Sequence, residues 1–334
     1  MSLSKKVDSS ESTDRLAQAV IVSTNKDGVL IVGDTTIDLY PTYNESIAPG
    51  SNLEWHIGGT ATNVARWAAA LDCDVNLMTN LGNDVMGELA AEYLANGAVE
   101  TTHVTQVTAS SPLTLYTGTQ GDDEWNAWVT GSCYGFTPPD DPAALVAAHE
   151  WIHLEGVMLP AEVNQAAVRR LAKTAAANAT RVSFDLNGRE NQWATPDAYR
   201  DTLEDVLQYC DLIFAGEDDL AVAAVDPTPA GLLELLPTDH STRAFITAGD
   251  DETIAIRVED GQIIERVTAT PPEVTVATPA GAGDAFAGAV LAARYDGVTD
   301  LHELATIGNT AGAAAVTTIG PYESDSVTTM DRLF

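Results

Sequence analysis

Residues 278–288 read TPAGAGDAFAG, and this stretch is the most informative in the chain. Its small residues open a predicted helix, so the unpaired N–H groups of the first turn and the positive end of the helix dipole face outward. Such a helix start can bind a phosphate or a developing anion. Asp284 lies in the first turn, where a carboxylate could take a proton from a hydroxyl that attacks a phosphoryl group. The same pattern also fits an aspartate that only stabilises the helix start, beside glycines that allow close packing.

A second glycine-rich stretch, residues 57–65, reads IGGTATNVA and also precedes a predicted helix. Gly58 and Gly59 let a bound polyol come close to the backbone, and Asn63 can both donate and accept hydrogen bonds with its hydroxyls. Taken alone, this stretch indicates helix capping and packing.

Strand and helix patterns alternate along most of the chain. The first strand, residues 29–33, is a continuous apolar run typical of a buried parallel strand. The alternation predicts an α/β fold, a doubly wound and mainly parallel sheet with helices on both faces. Strand-rich insertions near residues 38–57 and 110–132 would add a small β lid. We expect residues 1–26 to be a flexible tail before a single domain of residues 27–334.

Charge is the strongest feature of the composition. Lys and Arg number 16 against 49 Asp and Glu, which gives a net charge of −33. Such a field repels nucleic acids and anionic lipids, so we expect neither as a partner. The acids are spread along the whole chain, which favours a halophilic surface adapted to concentrated salt.

The compartment is predicted from the cysteines and the hydropathy. The three cysteines, Cys73, Cys133 and Cys210, are widely spaced and match neither a disulfide framework nor a zinc pattern. No apolar run approaches the length of a membrane helix, and the N-terminus has no secretory signal. These features predict a cytoplasmic protein.

The two glycine-rich stretches together resemble the PfkB/ribokinase family of carbohydrate kinases. They match its Gly-Gly-x-x-x-Asn-x-Ala element and its Gly-Ala-Gly-Asp-Ala-Phe element, in the family's order. Residues 81–87 look like the family's Gly-x-Asp-x-x-Gly turn, and residues 247–249 like its Thr-x-Gly turn at the nucleotide. Residues 184–189 look like the Asp-x-Asn-x-Arg segment of the fructokinase and ketodeoxygluconate-kinase branch. The resemblance therefore covers most of the chain.

The resemblance implies an ATP- and Mg²⁺-dependent kinase of the ribokinase-like fold, whose substrate is a ketose, a sugar acid or a pentose. Asp284 would be the catalytic base. The N–H groups of the preceding residues would form an anion hole: Gly281, Ala282 and Gly283. The sugar pocket would comprise Asp38, Gly58, Gly59 and Asn63. The nucleotide would be bordered by Thr247 and Gly249, with Asn309 near the adenine, although Asn309 also fits a buried amide that is merely satisfied.

Arg189 is one of very few cations in the chain. A guanidinium aimed into the cleft could hold a substrate carboxylate or the transferred phosphate in a bidentate manner. A surface ion pair with Glu190 explains the residue equally well.

Two departures from the family pattern concern ions. The family's Asn-x-x-Glu, which organises Mg²⁺, is replaced by residues 216–219, GEDD, so we expect Asp219 and Glu217 to serve instead. The family's Asp-Thr-Thr is replaced by residues 278–280, TPA, which removes the side chain for an activating monovalent cation. A third departure is that residues 128–132, on the lid side, contain no Arg, unlike the ketodeoxygluconate-kinase branch.

Other functions fit less well. A dinucleotide-binding dehydrogenase would need Gly-x-Gly-x-x-Gly after the first strand, where residues 33–36 read GDTT. A P-loop kinase is excluded because no Gly-x-x-x-x-Gly-Lys occurs. The alternatives that stay open are a kinase-like protein that binds its ligand without transferring phosphate, and a nucleoside kinase of the same fold. We also expect a homodimer formed through the β lid.

The charge generates a prediction about stability in salt. Raising KCl from about 0.1 M to about 1 M shortens the Debye length from about 10 Å to about 3 Å, so the Tm should rise as self-repulsion is screened. A thermal-shift series in KCl measures this, with sucrose at matched osmolality as the control for solute exclusion. A Tm independent of KCl would contradict the halophilic interpretation.

Overall fold

The computed structural model describes residues 27–41, 47–117, 127–131, 134–320, 322 and 324–333. The expected tail of residues 1–26 lies outside the described residues. The strands are β1 Asp27–Val32, β2 Thr36–Pro41, β3 Leu53–Gly58, β4 Val75–Gly82, β5 Glu100–Val107, β6 Leu113–Tyr116, β7 Ala127–Thr130, β8 His149–Glu155, β9 Arg181–Asp185, β10 Leu212–Gly216, β11 Thr242–Thr247, β12 Thr253–Glu259 and β13 Gln262–Ala269. The helices are α1 Thr60–Ala70, α2 Val85–Ala95, α3 Ala143–Ala148, α4 Glu162–Ala177, α5 Pro196–Leu207, α6 Glu217–Val222, α7 Pro229–Leu233, α8 Ala282–Tyr295, α9 Leu301–Ala315 and α10 Ser324–Leu333.

Nine strands form the main sheet, in the order β13-β12-β11-β10-β9-β8-β1-β4-β5. All neighbours from β11 to β5 pair in parallel, and β12 and β13 add an antiparallel edge. The predicted doubly wound α/β sheet is therefore confirmed. Parallel strands place their carboxyl ends at one edge of the sheet, and that edge is where ligands bind in such folds.

Helices cover both faces of this sheet, as the unbroken apolar run of β1 predicts. Val29 and Ile31 point to the face that packs against α1, α8 and α9, whereas Leu30 and Val32 point to the face covered by α4 and α5. All four side chains are fully buried. Each of these four residues thus joins one of two separate hydrophobic cores.

A second sheet has four strands in the order β3-β2-β6-β7. Its strands come from the two insertions predicted to form a lid, and β2 and β6 pair in parallel where the insertions meet. The first insertion begins slightly earlier than predicted, because β2 starts at Thr36 and β3 ends at Gly58.

Helix positions follow the sequence patterns closely where the patterns are long. The helix predicted to open within residues 278–288 is α8, which begins at Ala282. The sequence patterns did not predict the short helices α3 and α7, the C-terminal helix α10 or strand β5. Within the described ranges, no helix combines the length and the hydrophobicity that a membrane span requires.

Helices α1 and α8 lie in close contact, and a glycine makes this possible. A Cβ added at Gly288 would lie 2.8 Å from Trp67 Cβ and 2.8 Å from the Val64 carbonyl oxygen. Trp67 is fully buried at this crossing. The two helices can therefore approach this closely only because residue 288 has no side chain.

Gly288→Ala should consequently lower the free energy of unfolding by about 1–3 kcal/mol, the usual cost of overpacking a core. Urea denaturation at fixed KCl measures the change. Gly283→Ala on the same helix is the matched control, because an added Cβ there meets no atom within 4 Å. Equal stability of the two variants would show that the helices can move apart without cost.

Candidate active site

A cleft of about 770 Å³ opens at the carboxyl ends of the parallel strands, beside the second sheet. Most of the residues predicted for the site line it: Asp38, Gly59, Asn63, Arg189, Glu217, Asp219, Thr247, Gly249, Gly281, Ala282, Gly283 and Asp284. Gly58 and Asn309 are not among the lining residues. The fold thus gathers segments that are widely separated in the sequence at one edge of the sheet.

The start of α8 forms one wall of this cleft. Gly281 precedes the helix with φ 83°, a left-handed conformation that glycine adopts without strain. The first helical hydrogen bond runs from Ala285 N to Gly281 O at 2.9 Å. The N–H groups of Ala282 and Gly283 precede that bond and have no partner inside the helix, so they are available to an anion in the cleft.

Asp284 lies in this first turn and is buried, with 9% of its surface exposed. Asn63 Nδ2 donates a hydrogen bond of 2.7 Å to Asp284 Oδ2. Burial raises the pKa of Asp284 to about 6, against the lowering effect of Asn63. The carboxylate is therefore ionised at neutral pH and far more basic than an exposed aspartate.

Asp38 lies on β2 across the cleft and accepts a hydrogen bond of 2.6 Å from Thr36 Oγ1. Burial raises its pKa to about 7, and the charges of Asp34 and Asp284 add to the rise. A Cβ at Gly58 would lie 2.1 Å from Asp38 Oδ2. Gly58 therefore belongs to the site by making room for the Asp38 carboxylate, and not by lining the cleft itself.

Asp34 is a cleft residue to which the sequence analysis assigned no role. Its Oδ1 accepts hydrogen bonds from Thr60 Oγ1 at 2.8 Å and from Ala61 N at 3.4 Å, which caps the start of α1. Burial raises its pKa. Its position directly after β1 was the available signal, because that position lies at the carboxyl edge of the sheet.

Arg189 is the only cationic side chain among the described residues that line the cleft. Its Nη1 donates to the Gly188 carbonyl at 2.9 Å, and within the described part of the chain no carboxylate lies within ion-pairing distance. The alternative of an ion pair with Glu190 is therefore not supported. The guanidinium is free to meet an anionic group of a ligand.

Asp219, the predicted metal ligand, is held by two backbone N–H groups. Its Oδ1 accepts from Gly188 N at 2.7 Å and its Oδ2 from Gly216 N at 2.8 Å. The carboxylate thus ties the loop before Arg189 to the end of β10. Among the described residues, no group of three or more His, Cys, Asp or Glu side chains could hold a metal ion, although Glu217 stays exposed on the cleft wall.

On the nucleotide side, Thr247 and Gly249 line the cleft as predicted, and Gly249 adopts φ 59° with open space around it. Asn309 does not line the cleft. It accepts from Thr253 Oγ1 at 2.6 Å and donates to the Ala269 carbonyl at 2.8 Å. Both ends of its buried amide are used to hold α9 against β12 and β13, which favours the interpretation of Asn309 as a buried amide that is merely satisfied.

Comparison with known proteins agrees with this geometry. A model of the pfkB family carbohydrate kinases matches residues 26–328. The chain therefore belongs to that family, and the resemblance drawn from the two glycine-rich stretches is confirmed. The protein is an ATP-dependent sugar phosphotransferase.

Individual relatives are distant but span most of the chain. A fructokinase of Klebsiella pneumoniae is 28% identical over 311 residues, which is 89% of this chain and 97% of that protein. A 2-dehydro-3-deoxygalactonokinase of Haloferax volcanii is 27% identical, over 78% of this chain and 81% of that protein. A putative ribokinase II from Escherichia coli, solved with ATP and Mg²⁺, has the same fold with a TM-score of 0.76, 20% identity and coverage of 92% and 99%.

Proposed function

We propose that the protein phosphorylates a hydroxyl of a ketose or a sugar acid with ATP, and that Asp284 is the general base. The observation that carries this proposal is a buried carboxylate held by Asn63 at the open N-terminus of α8. A base with a pKa near 6 is ionised at neutral pH and is still basic enough to accept a hydroxyl proton. Glu217, Asp218 and Asp219 also lie in the first turn of a helix on the cleft wall, but the buried one, Asp219, is already engaged by the N–H groups of Gly188 and Gly216.

In this reaction the sugar hydroxyl loses its proton to Asp284 as its oxygen attacks the γ-phosphorus of ATP, and ADP leaves. The N–H groups of Gly281, Ala282 and Gly283 would stabilise the charge that develops on the phosphoryl oxygens. Such a backbone anion hole suits a chain with only four lysines.

Asp38 and Asn63 would bind the other hydroxyls of the sugar. Asn63 supports this role because its Oδ1 is buried and has no hydrogen-bond partner among the described residues. Gly59 would bring the backbone close to the sugar, and Thr247 and Gly249 would border ATP. The fold shared with an ATP-bound ribokinase-like structure is consistent with this arrangement.

Magnesium would arrive with the phosphates of ATP, because Mg²⁺ keeps several waters and takes phosphate oxygens readily. Among the residues that the structure describes, no cluster of His, Cys, Asp or Glu side chains forms a metal cage, and Asp219 is engaged by two backbone N–H groups. Glu217 is left as the carboxylate that could reach the water shell of the ion.

A measurement of turnover distinguishes the proposed function from two alternative functions. A ligand-binding protein without transferase activity would release no ADP with any sugar, and a nucleoside kinase would prefer nucleosides to sugars in the same screen. The Asp284 carboxylate, which is held by Asn63, and the backbone N–H groups of the anion hole favour an active sugar kinase.

A homodimer through the second sheet is a further part of the proposal. Strand β3 is an edge strand of that sheet and exposes Leu53 and Trp55, the latter to 49%. An edge strand with apolar side chains is suited to pairing with a second copy. The acidic composition fits a cytoplasm rich in salt.

Replacing Asp284 by Asn keeps the shape of the side chain and removes the base, so kcat should fall by about 10²–10⁴-fold. ADP release in high-salt buffer measures this. Asp296→Asn, an equal change of charge just beyond the same helix, is the matched control and should leave kcat unchanged. Retention of turnover within a few-fold of the parent would exclude Asp284 as the base.

The pH dependence of kcat is a second test of Asp284 as the general base. Protonated Asp284 cannot accept a proton, so kcat of the parent should fall as the pH decreases through about 6. A kcat that stays constant down to pH 4 would mean that Asp284 titrates at its ordinary value or takes no part.

Arg189→Gln should separate the two substrate classes. With 2-dehydro-3-deoxygalactonate the KM should rise by about 10–100-fold, since a charge-assisted hydrogen bond is lost, whereas with fructose it should change by less than about 3-fold. Arg257→Gln is the matched control, because Arg257 pairs with Glu259 and Glu265 away from the cleft. An equal rise for both substrates would place Arg189 at the phosphates instead.

A further inference from the structure

The loop between β4 and α2 contains a carboxylate that the proposed reaction does not use. Asp84 caps the start of α2, where its Oδ1 accepts a hydrogen bond of 2.9 Å from Gly87 N. Two further hydrogen bonds come from a distant segment: Ser111 N donates to Oδ2 at 2.8 Å, and Ser111 Oγ donates to Oδ1 at 2.7 Å. A helix cap requires only the bond from Gly87, so the bonds from Ser111 need a separate explanation.

Ser111 and Pro112 lead into β6, and their backbone is enclosed by neighbouring strands. A Cβ added at Gly82, the last residue of β4, would lie 2.4 Å from Ser111 N. A Cβ added at Gly131, directly after β7, would lie 2.6 Å from the Ser111 carbonyl oxygen. The Pro112 carbonyl accepts a hydrogen bond of 2.9 Å from Ile37 N on β2. These contacts and the bonds to the α2 cap fix the place where β6 begins.

The place where β6 begins is important because the pairing of β6 with β2 is short. Their register comprises three residue pairs, and the central pair joins Asp38 and Thr114. Paired residues point to the same face of a sheet, and Thr114, with 6% of its surface exposed, lines the cleft beside Asp38. Tyr116, two residues further along β6, also lines the cleft. A shift of β6 by one residue would turn both of its side chains to the opposite face.

We propose that Asp84 is a positioning residue for the sugar: by holding Ser111, it sets the register of β6 and keeps Thr114 and Tyr116 in the wall of the cleft. The inference rests on the proposed function, because it takes a sugar as the ligand beside Asp38. Neither Asp84 nor Ser111 is among the residues that line the cleft, so the effect on the sugar is transmitted through β6. The nucleotide side of the cleft follows β11, in the other sheet, and is expected to be independent of Asp84.

The test measures the Kd of the sugar without ATP, by calorimetry at constant KCl, with fructose and 2-dehydro-3-deoxygalactonate as probes. Asp84→Ser retains a good helix cap but is too short to reach Ser111, so the Kd of the probe that the wild-type protein binds should rise by about 10-fold. The KM for ATP should change by less than about 2-fold. Asp300→Ser is the matched control and should leave the Kd unchanged, because Asp300 caps α9, which packs against β12 and β13 of the main sheet.

A second variant separates the two bonds from Ser111. Ser111→Ala removes the bond from the hydroxyl and keeps the bond from the backbone N–H, so the Kd should rise by about 3-fold. In the double variant the Kd should be no higher than in Asp84→Ser alone, because the hydroxyl has already lost its partner. Independent roles of the two residues would instead multiply the two losses. Circular dichroism and the Tm verify folding, and Ser111→Ala still decides if Asp84→Ser does not fold.

Two outcomes would overturn this inference alone. One is a Kd that stays unchanged in Asp84→Ser and Ser111→Ala while the Tm falls, which would leave the carboxylate with a purely structural role. The other is a rise of the KM for ATP as large as that of the Kd of the sugar. Asp38→Ala, measured in parallel, should weaken sugar binding by about 10-fold or more. If it does not, or if the wild-type protein binds neither probe, the proposed function is overturned together with the inference.

Discussion

The contact between α1 and α8 is the constraint on which the site depends. Gly288 lets the helices meet at Trp67, and this approach brings Asn63 to 2.7 Å from Asp284, a residue 221 positions away. The start of α1 is in turn capped by Asp34, which accepts hydrogen bonds from Thr60 and Ala61. The candidate base, an amide that orients it and one wall of the cleft are therefore placed by a single helix crossing.

Buried negative charge is the second organising feature. The cleft gathers several carboxylates from different strands against the single guanidinium of Arg189. Burial raises the pKa of Asp38 and Asp284, so each holds its proton more tightly than an exposed aspartate would. Backbone N–H groups would bind the phosphate. Their partial charges do not change with pH, and this mode of binding requires no lysine side chain. This arrangement suits a protein with a net charge of −33.

Much of the site could be predicted because its motifs are local. A glycine pair before a helix, or an aspartate in a first turn, is visible in one short segment, and the fold then brings those segments to one edge of the sheet. Less could be predicted for side chains whose partners are distant in sequence. Asp219 is engaged by Gly188, and Asn309 by Thr253 and Ala269. These contacts, and with them the choice between the two interpretations of Asn309, could not be judged before the neighbours were known.

The sequence by itself determined the α/β class, the family and the segments that carry the chemistry, because apolar periodicity and glycine positions are encoded residue by residue. Only the tertiary structure decided which polar atoms are satisfied and which are free. Asp284 shows the reason: Asn63, which donates a hydrogen bond to its carboxylate, lies 221 positions earlier in the chain and reaches it only where α1 and α8 meet. Hydrogen-bond partners depend on which polar atoms lie close together in three dimensions, and a single amino-acid sequence does not show this.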